Sequence, residues 1–305
     1  MTFFTAIFLG LLQGATEFLP VSSSGQLFLF EHFFGISIDE KILQSFDVFL
    51  HFGSFCALLI LFRREVLQIL KFIFSKIKIL ISNFKRENSK FENKISAVKL
   101  ENKKFKKIEI ENGARLFSQI FFGTLPLLFF GIFVEKFLID SIREIFFVAG
   151  FLIFTAILFF IAEKFSKKNR EKIENCDAFK IGFWQILGLF PGISRSGILI
   201  VGGLLQNFKR EVAARFAFLL AMPAIFGATI LAILQFEKSF FEIISPEIFI
   251  TGFFASAISS FFFAKFLLKI FRQISLKFFA IFLICESVAA LFLQNYLANI
   301  FGNLI

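Results

Sequence analysis

Pro191-Gly192-Ile193-Ser194-Arg195-Ser196-Gly197 stands between two apolar runs, 181–190 and 198–205. Neither run reaches the roughly 20 residues that a membrane-spanning helix needs. A proline, two glycines, two hydroxyls and one arginine thus break what would otherwise be one long apolar segment. Non-helical backbone cannot face lipid, because its N–H and C=O groups would find no partners there. Such a break is tolerated where it lines a polar cavity, and an arginine at membrane depth marks a functional site. Ser194, Arg195 and Ser196 also open the following helix, whose free N–H groups and positive dipole end suit an anion. The segment therefore reads as a phosphate cradle inside a membrane protein. The simpler alternative is an ordinary turn between two surface helices.

The rest of the chain fits a membrane setting. Its 305 residues are 57% hydrophobic, with a mean hydropathy of +0.79, against the roughly 45–50% apolar content of soluble domains. The fold class expected is all-α and polytopic. A net charge of +10 would suit nucleic acid, but the basic residues are segregated between apolar runs, which is a topology signal. No nucleic-acid partner is expected. Fifty-five Phe against one Trp and one Tyr say nothing about function. Cys56, Cys176 and Cys285 are too far apart in sequence to suggest a disulfide framework or a thiolate metal site. No Lys or Arg precedes Lys41, which argues against a cleaved signal peptide.

The first apolar stretch, 3–19, carries Gln13, Thr16 and Glu17 and stops at Pro20; a second short one covers 27–36. Val21-Ser22-Ser23-Ser24-Gly25 lies between them, so two sub-length segments again meet at a Ser/Gly break. Spanning helices are expected at 46–62, 116–134, 145–162, 212–236, 248–268 and 278–297. Residues 66–81 mix apolar side chains with Lys71, Lys76 and Lys78, which suits a helix at the membrane surface. Residues 83–112, rich in Lys, Asn and Glu, read as an exposed, largely disordered or loosely helical loop.

The chain repeats itself. At an offset of 172, Gly10 meets Gly182, Gln13 meets Gln185 and Val21 meets Ile193; Ser22, Ser24 and Gly25 meet Ser194, Ser196 and Gly197. Each half reads as a re-entrant helical hairpin followed by three transmembrane helices. The chain is thus a single integral-membrane domain, with repeat one at 1–162 (including a basic loop at 63–115) and repeat two at 181–305. With that loop cytoplasmic, segments 63–115, 164–180, 209–215 and 265–277 place 28 of the 33 Lys and Arg on one side. Three spans separate the hairpins, so they enter from opposite faces, which gives an inverted-topology repeat whose hairpins meet near the midplane.

Gln13 and Glu17, four apart, share one helix face. A carboxylate at membrane depth needs a cation: Arg195 from the facing hairpin, or Mg²⁺ or Ca²⁺ held by hard oxygen ligands. The serines also suit helix capping. His51, Asp47 and Ser54 lie on the first full span, where a structural histidine is as good a reading as a ligand. His32 and Glu31 read as solvated. Asp140, Glu163 and Glu286 read as lone carboxylates at an interface or a helix end.

Gln13-Gly-Ala-Thr-Glu17-Phe-Leu-Pro20-Val-Ser-Ser-Ser24-Gly25 and the Pro191–Gly197 segment together resemble the two signatures of the bacterial undecaprenyl-diphosphate phosphatases of the bacitracin-resistance type. Phe46-Asp47-Val48 through Gly53-Ser54 and Phe218-Leu-Leu-Ala-Met-Pro223-Ala also match that pattern, so the resemblance spans nearly the whole chain. It implies a multi-pass enzyme of the bacterial cytoplasmic membrane, made of two interlocked inverted repeats with a site open to the outer side. The reaction implied removes one phosphate from undecaprenyl diphosphate and regenerates the lipid carrier of cell-wall precursors. Membrane lipids surround it, and a homodimer is left open.

By the same resemblance, Gln13 and Glu17 would hold a divalent cation (Mg²⁺ or Ca²⁺) and the diphosphate. Glu17, Ser23, Ser24 and Arg195 form the candidate catalytic set, with one of the two serines as nucleophile. Gln13, Ser22, Gln26, His51, Ser194, Ser196 and Gly197 form the candidate substrate-binding set. Two residues depart from the family pattern: Gln26 stands where histidine is common, and Leu199 where threonine is usual. Proton transfer then needs another agent, with Glu17, His51 and water all open. The alternative readings are a prenyl-phosphate flippase and a weakly active paralogue.

Overall fold

A computed structural model describes residues 1–36, 38–86, 100–138, 144–235 and 240–301. Twelve helices follow one another among them: α1 (Phe3–Thr16), α2 (Ser23–Phe33), α3 (Glu40–Leu61), α4 (Arg63–Arg86), α5 (Leu100–Leu138), α6 (Ile145–Phe165), α7 (Asn175–Leu187), α8 (Arg195–Leu205), α9 (Arg210–Gln235), α10 (Phe240–Ile243), α11 (Pro246–Ile270) and α12 (Leu276–Phe301). The only extended pairing in the described residues is an isolated bridge between Arg170 and Phe208. Among the described residues, six helices are long and apolar enough to cross a membrane: Glu40–Leu61, Ile108–Gly131, Ile145–Phe165, Arg210–Leu234, Pro246–Ile270 and Leu276–Leu297. They coincide with the six expected spans, and the chain is an all-helical, multi-pass membrane protein.

Both short pairs form as the Ser/Gly breaks require. Ser22 caps α2, its hydroxyl accepting from Gly25 N–H at 3.3 Å, and Ser194 caps α8, accepting from Gly197 N–H at 3.1 Å. The largely disordered or loosely helical loop expected at 83–112 is corrected: residues 83–86 close α4 and 100–112 form the first turns of α5, while 87–99 lie outside the described residues. This polar stretch gains helical support by continuing a span and by packing on α4. Lys71 Nζ meets Glu109 at 2.7 Å, and the Gln68 carbonyl abuts Gly113 with no room for a side chain.

Packing is reciprocal between the halves. Helix α1 lies on α11, α7 lies on α5, and α6 pairs with α12. Lipid supplies no hydrophobic drive between helices, so close approach of small residues and interhelical hydrogen bonds must hold them. Gly10 and Gly14 provide that approach: a methyl on either would sit 2.5 Å from the Gly252 or Ser256 carbonyl oxygen of α11. A hydroxyl ladder ties α3 to the same helix. Ser256 donates to the Leu50 carbonyl at 2.6 Å and Ser260 donates to Ser54 at 2.8 Å. Gly14→Ala should therefore lower thermal stability in detergent, since overpacking against backbone costs about 1–3 kcal/mol. Gly150→Ala is the control, because a methyl there meets nothing within 4 Å. Equal melting temperatures for the two variants would contradict the proposed α1–α11 contact.

Of the carboxylates expected to stand alone, Asp140 lies outside the described residues, and Glu163 is not a lone carboxylate. Its oxygens accept from Arg210 Nη2 at 2.6 Å, from Leu276 N–H at 2.9 Å and from Lys168, so it gathers α6, α9 and α12 where three connections meet. Glu31 is buried rather than solvated, because α2 sits inside the bundle.

Candidate active site

The turn from α1 to α2 ends with Ser22 in the left-handed region (φ 63°), which swings Ser23 back toward the end of α1. Ser23 Oγ then donates to Glu17 Oε2 at 2.6 Å. Gln13 Nε2, one turn earlier on α1, donates to the same oxygen at 2.9 Å. His51 of α3 brings Nδ1 within 3.1 Å of that oxygen and 2.8 Å of Gln13 Nε2. With Nδ1 protonated the ring donates to Glu17; with the proton on Nε2 it accepts from Gln13. Glu17 is therefore buried, but three polar groups hold it in place.

The second hairpin brings the opposite charge. Gly192 takes φ 95°, and a methyl there would strike the Val148 carbonyl oxygen at 2.6 Å, so only glycine fits this turn against α6. Arg195 follows as the first residue of α8. The two hairpin turns touch: Gly25 faces Gly192, and Ser196 Oγ lies 3.4 Å from the Leu19 carbonyl. Between them lies a small cavity lined by Glu17, Ser23, Ser24, His51, Gly188, Ile193, Ser194 and Arg195. A carboxylate, hydroxyls, an imidazole and a guanidinium thus converge on one chamber. Such a set can bind an oxyanion at Arg195 and take a proton from Ser23 at Glu17.

The remaining sequence candidates support this wall rather than form it. Gln13 is fully buried behind Glu17. Ser22 caps α2. Gly197 gives its N–H to Ser194 and abuts the Phe159 ring. Ser196 lies 3.4 Å from Ser194 Oγ. Gln26 turns away, donating to the Val21 carbonyl at 3.1 Å, with Glu286 of α12 as its polar neighbour. Gly188 and Ile193 line the cavity without having been singled out from sequence. Gly188 has a readable reason, because a methyl there would press on Arg195 Cα at 3.0 Å. Gln185, the counterpart of Gln13 at the 172 offset, is buried with neither amide atom hydrogen-bonded. Leu189 and Pro223 stand where the offset would put partners like Glu17 and His51, so the acidic chemistry lies in the first half alone.

The chain was compared with known proteins. A curated undecaprenyl-diphosphatase of Carboxydothermus hydrogenoformans is 34% identical over 303 residues, covering 96% of this chain and 98% of the relative. One from Halothermothrix orenii is 36% identical over 282 residues, covering 92% and 93%. One from Methanococcus vannielii is 31% identical, covering 94% and 98%. The family model described as bacitracin resistance protein BacA matches residues 6–289, a span that contains both hairpins and the whole cavity wall. On that match and those relatives, the chain belongs to the BacA bacitracin resistance family.

Proposed function

We propose that this chain is an undecaprenyl-diphosphatase, hydrolysing the lipid diphosphate to undecaprenyl phosphate and inorganic phosphate. The observation that carries the reading is that Arg195 and the Glu17–Ser23 pair line one cavity. Phosphoryl transfer asks a protein mainly for positioning and charge stabilisation, and these groups supply both. The terminal phosphate sits against Arg195 and the first-turn amides of α8. Ser23 Oγ attacks the terminal phosphorus, and Glu17 takes its proton. The bond from phosphorus to the bridging oxygen breaks, and undecaprenyl phosphate leaves with its tail in the surrounding lipid. Water then cleaves the phosphoserine, with Glu17 returning the proton to Ser23. His51 and Gln13 keep Glu17 aimed at Ser23 throughout.

A divalent cation fits the same corner. Gln13 Oε1 is buried with no hydrogen-bond partner, and with the Glu17 carboxylate it makes a pair of hard oxygen donors. No group of three or more His, Cys, Asp or Glu occurs among the described residues that would cage an ion. Gln13 and Glu17 would therefore hold Mg²⁺ or Ca²⁺ jointly with substrate phosphate oxygens and water, as Mg²⁺ sites often do. Its contribution when bound is to neutralise charge on the diphosphate.

The placement proposed is the bacterial cytoplasmic membrane, basic loops inward and cavity toward the outer side, with inverted repeats at 1–162 and 181–305. The reciprocal packing of α1 on α11 and α7 on α5 supports the repeat. The ion pairs of Glu163 with Lys168 and Arg210, where three basic connections meet, support a common side for them. A flippase would bind the lipid without hydrolysing it, and relatives named as diphosphatases over 92–96% of this chain favour hydrolysis.

Phosphate release from undecaprenyl diphosphate by the purified protein tests the activity directly, and no release would refute it. Gln26→His is expected to change the rate by no more than a few-fold, because Val21 holds the side chain at 26 away from the cavity. A large gain would show that a histidine at 26 reaches the substrate after all.

A further inference from the structure

Helix α4 is not among the six candidate spans, yet Leu67, Leu70, Phe74, Ile77 and Ile81 on it are 40–64% exposed. Their spacing is 3, 4, 3, 4, a strict heptad seam rather than the wider apolar face of a globular helix. At 100° per residue the five fall within about 80° of one another. The side of α4 that packs on α5 carries other residues, Gln68 against Gly113 and Phe72 against Phe117.

The direction of α4 decides what this seam can meet. Gln68 lies beside Gly113, and Lys71 pairs with Glu109, so α4 runs antiparallel to α5. It therefore leads away from the apolar part of α5, which follows Glu109, Glu111 and Arg115. At 1.5 Å per residue, Ile81 lies about 15 Å beyond Lys71. The polar layer of a bilayer leaflet is only about 5–8 Å deep. Phe74, Ile77 and Ile81 thus project past the lipid into water, where a contiguous apolar patch of this size calls for a protein partner.

We infer that α4 pairs with α4 of a second copy of this chain as a parallel two-stranded coiled coil, making the protein a homodimer. Two copies inserted in the same sense share a two-fold axis along the membrane normal, which brings their α4 helices together in parallel. Leu67, Phe74 and Ile81 take the a positions, and Leu70 and Ile77 the d positions. Lys71 and Lys78 fall at e, facing Val66 and Ile73 at g of the partner. Their stems cover apolar surface and no like charges meet. An antiparallel pair would oppose lysine to lysine. From the exposures, the seam offers about 500 Å² on each copy, so the pair buries about the 1,000 Å² that a specific interface needs.

The test uses the full-length protein in phospholipid vesicles, with Cys56, Cys176 and Cys285 changed to serine and one cysteine placed on α4. Leu70→Cys, Phe74→Cys and Ile77→Cys should each oxidise to a species of twice the 35.0 kDa chain mass. The off-seam variants Ser75→Cys and Lys76→Cys should yield at least tenfold less of it. Equal cross-linking at all five positions would mean random collision and would overturn the pairing. So would no cross-linking on the seam together with quenching of a probe at position 74 by brominated lipid, which would place α4 in the leaflet. Independently of these variants, light scattering of the unmodified protein in detergent should give a dimer that Ile77→Glu converts to monomer. A wild-type monomer in both detergent and vesicles would end the proposal.

Discussion

Arg195→Ala is expected to cut phosphate release from undecaprenyl diphosphate by about 10²–10³-fold, the loss typical when one preorganised donor to a developing charge is removed. The diphosphate is an anion brought into a buried chamber. Of the residues lining that chamber, Arg195 is the one with a permanent positive charge. The substitution should spare the fold, because Ser194 caps α8 through Gly197 N–H, a bond that does not involve the side chain at 195. Arg195→Lys keeps the charge but loses the planar fork that grips two phosphate oxygens, so it should fall between wild type and alanine. The measurement is kcat/KM with melting temperature recorded alongside. An alanine variant within a few-fold of wild type, with its melting temperature unchanged, would remove Arg195 from the mechanism.

Glu17→Gln should lose about 10²–10⁴-fold, the range associated with a positioned general base. The amide fills the same space beside Ser23, Gln13 and His51, and its carbonyl oxygen still accepts the Ser23 hydroxyl, but it cannot take the proton. Glu17→Ala should lose at least as much and should also melt lower, because it leaves Gln13 Nε2 and Ser23 Oγ without their acceptor. The split between the two variants carries the information. Loss of rate in Glu17→Gln without loss of stability marks a chemical role, whereas equal falls in both properties would mark a structural one.

The architecture was legible from sequence because in a membrane it rests on run length. A span needs about 20 apolar residues, and the four short runs could not supply it, so two broken hairpins and six spans could be counted directly. The convergence of Glu17 and Arg195 was legible for a related reason: each is a charge at membrane depth beside a chain break, and the carboxylate there needs a cation. Other features depended on contacts between distant segments. Residues 100–112 look like loop in isolation, and only the α4 surface beside them shows why they are helical. Glu163 looked solitary because Arg210 and Leu276 are far away in sequence. The serines of α11 carried no flag, although Gly10-Leu-Leu-Gln-Gly14 is the small-xxx-small spacing that lets two membrane helices approach closely. The turn of Gln26 away from the cavity had no sequence signal, since it depends on where the Val21 carbonyl points.

Seating α1 on α11 also sets an order of events during synthesis. Helix α1 has its main partner about 230 residues downstream, and at about 5–20 residues per second that partner arrives roughly 10–50 s later. Until then the glycine groove of α1 has only lipid, or whatever attends the nascent chain, to lie against. A product truncated before residue 246 would contain every acidic and hydroxyl group of the chamber, yet lack the surface that holds Gln13 and Glu17 in register.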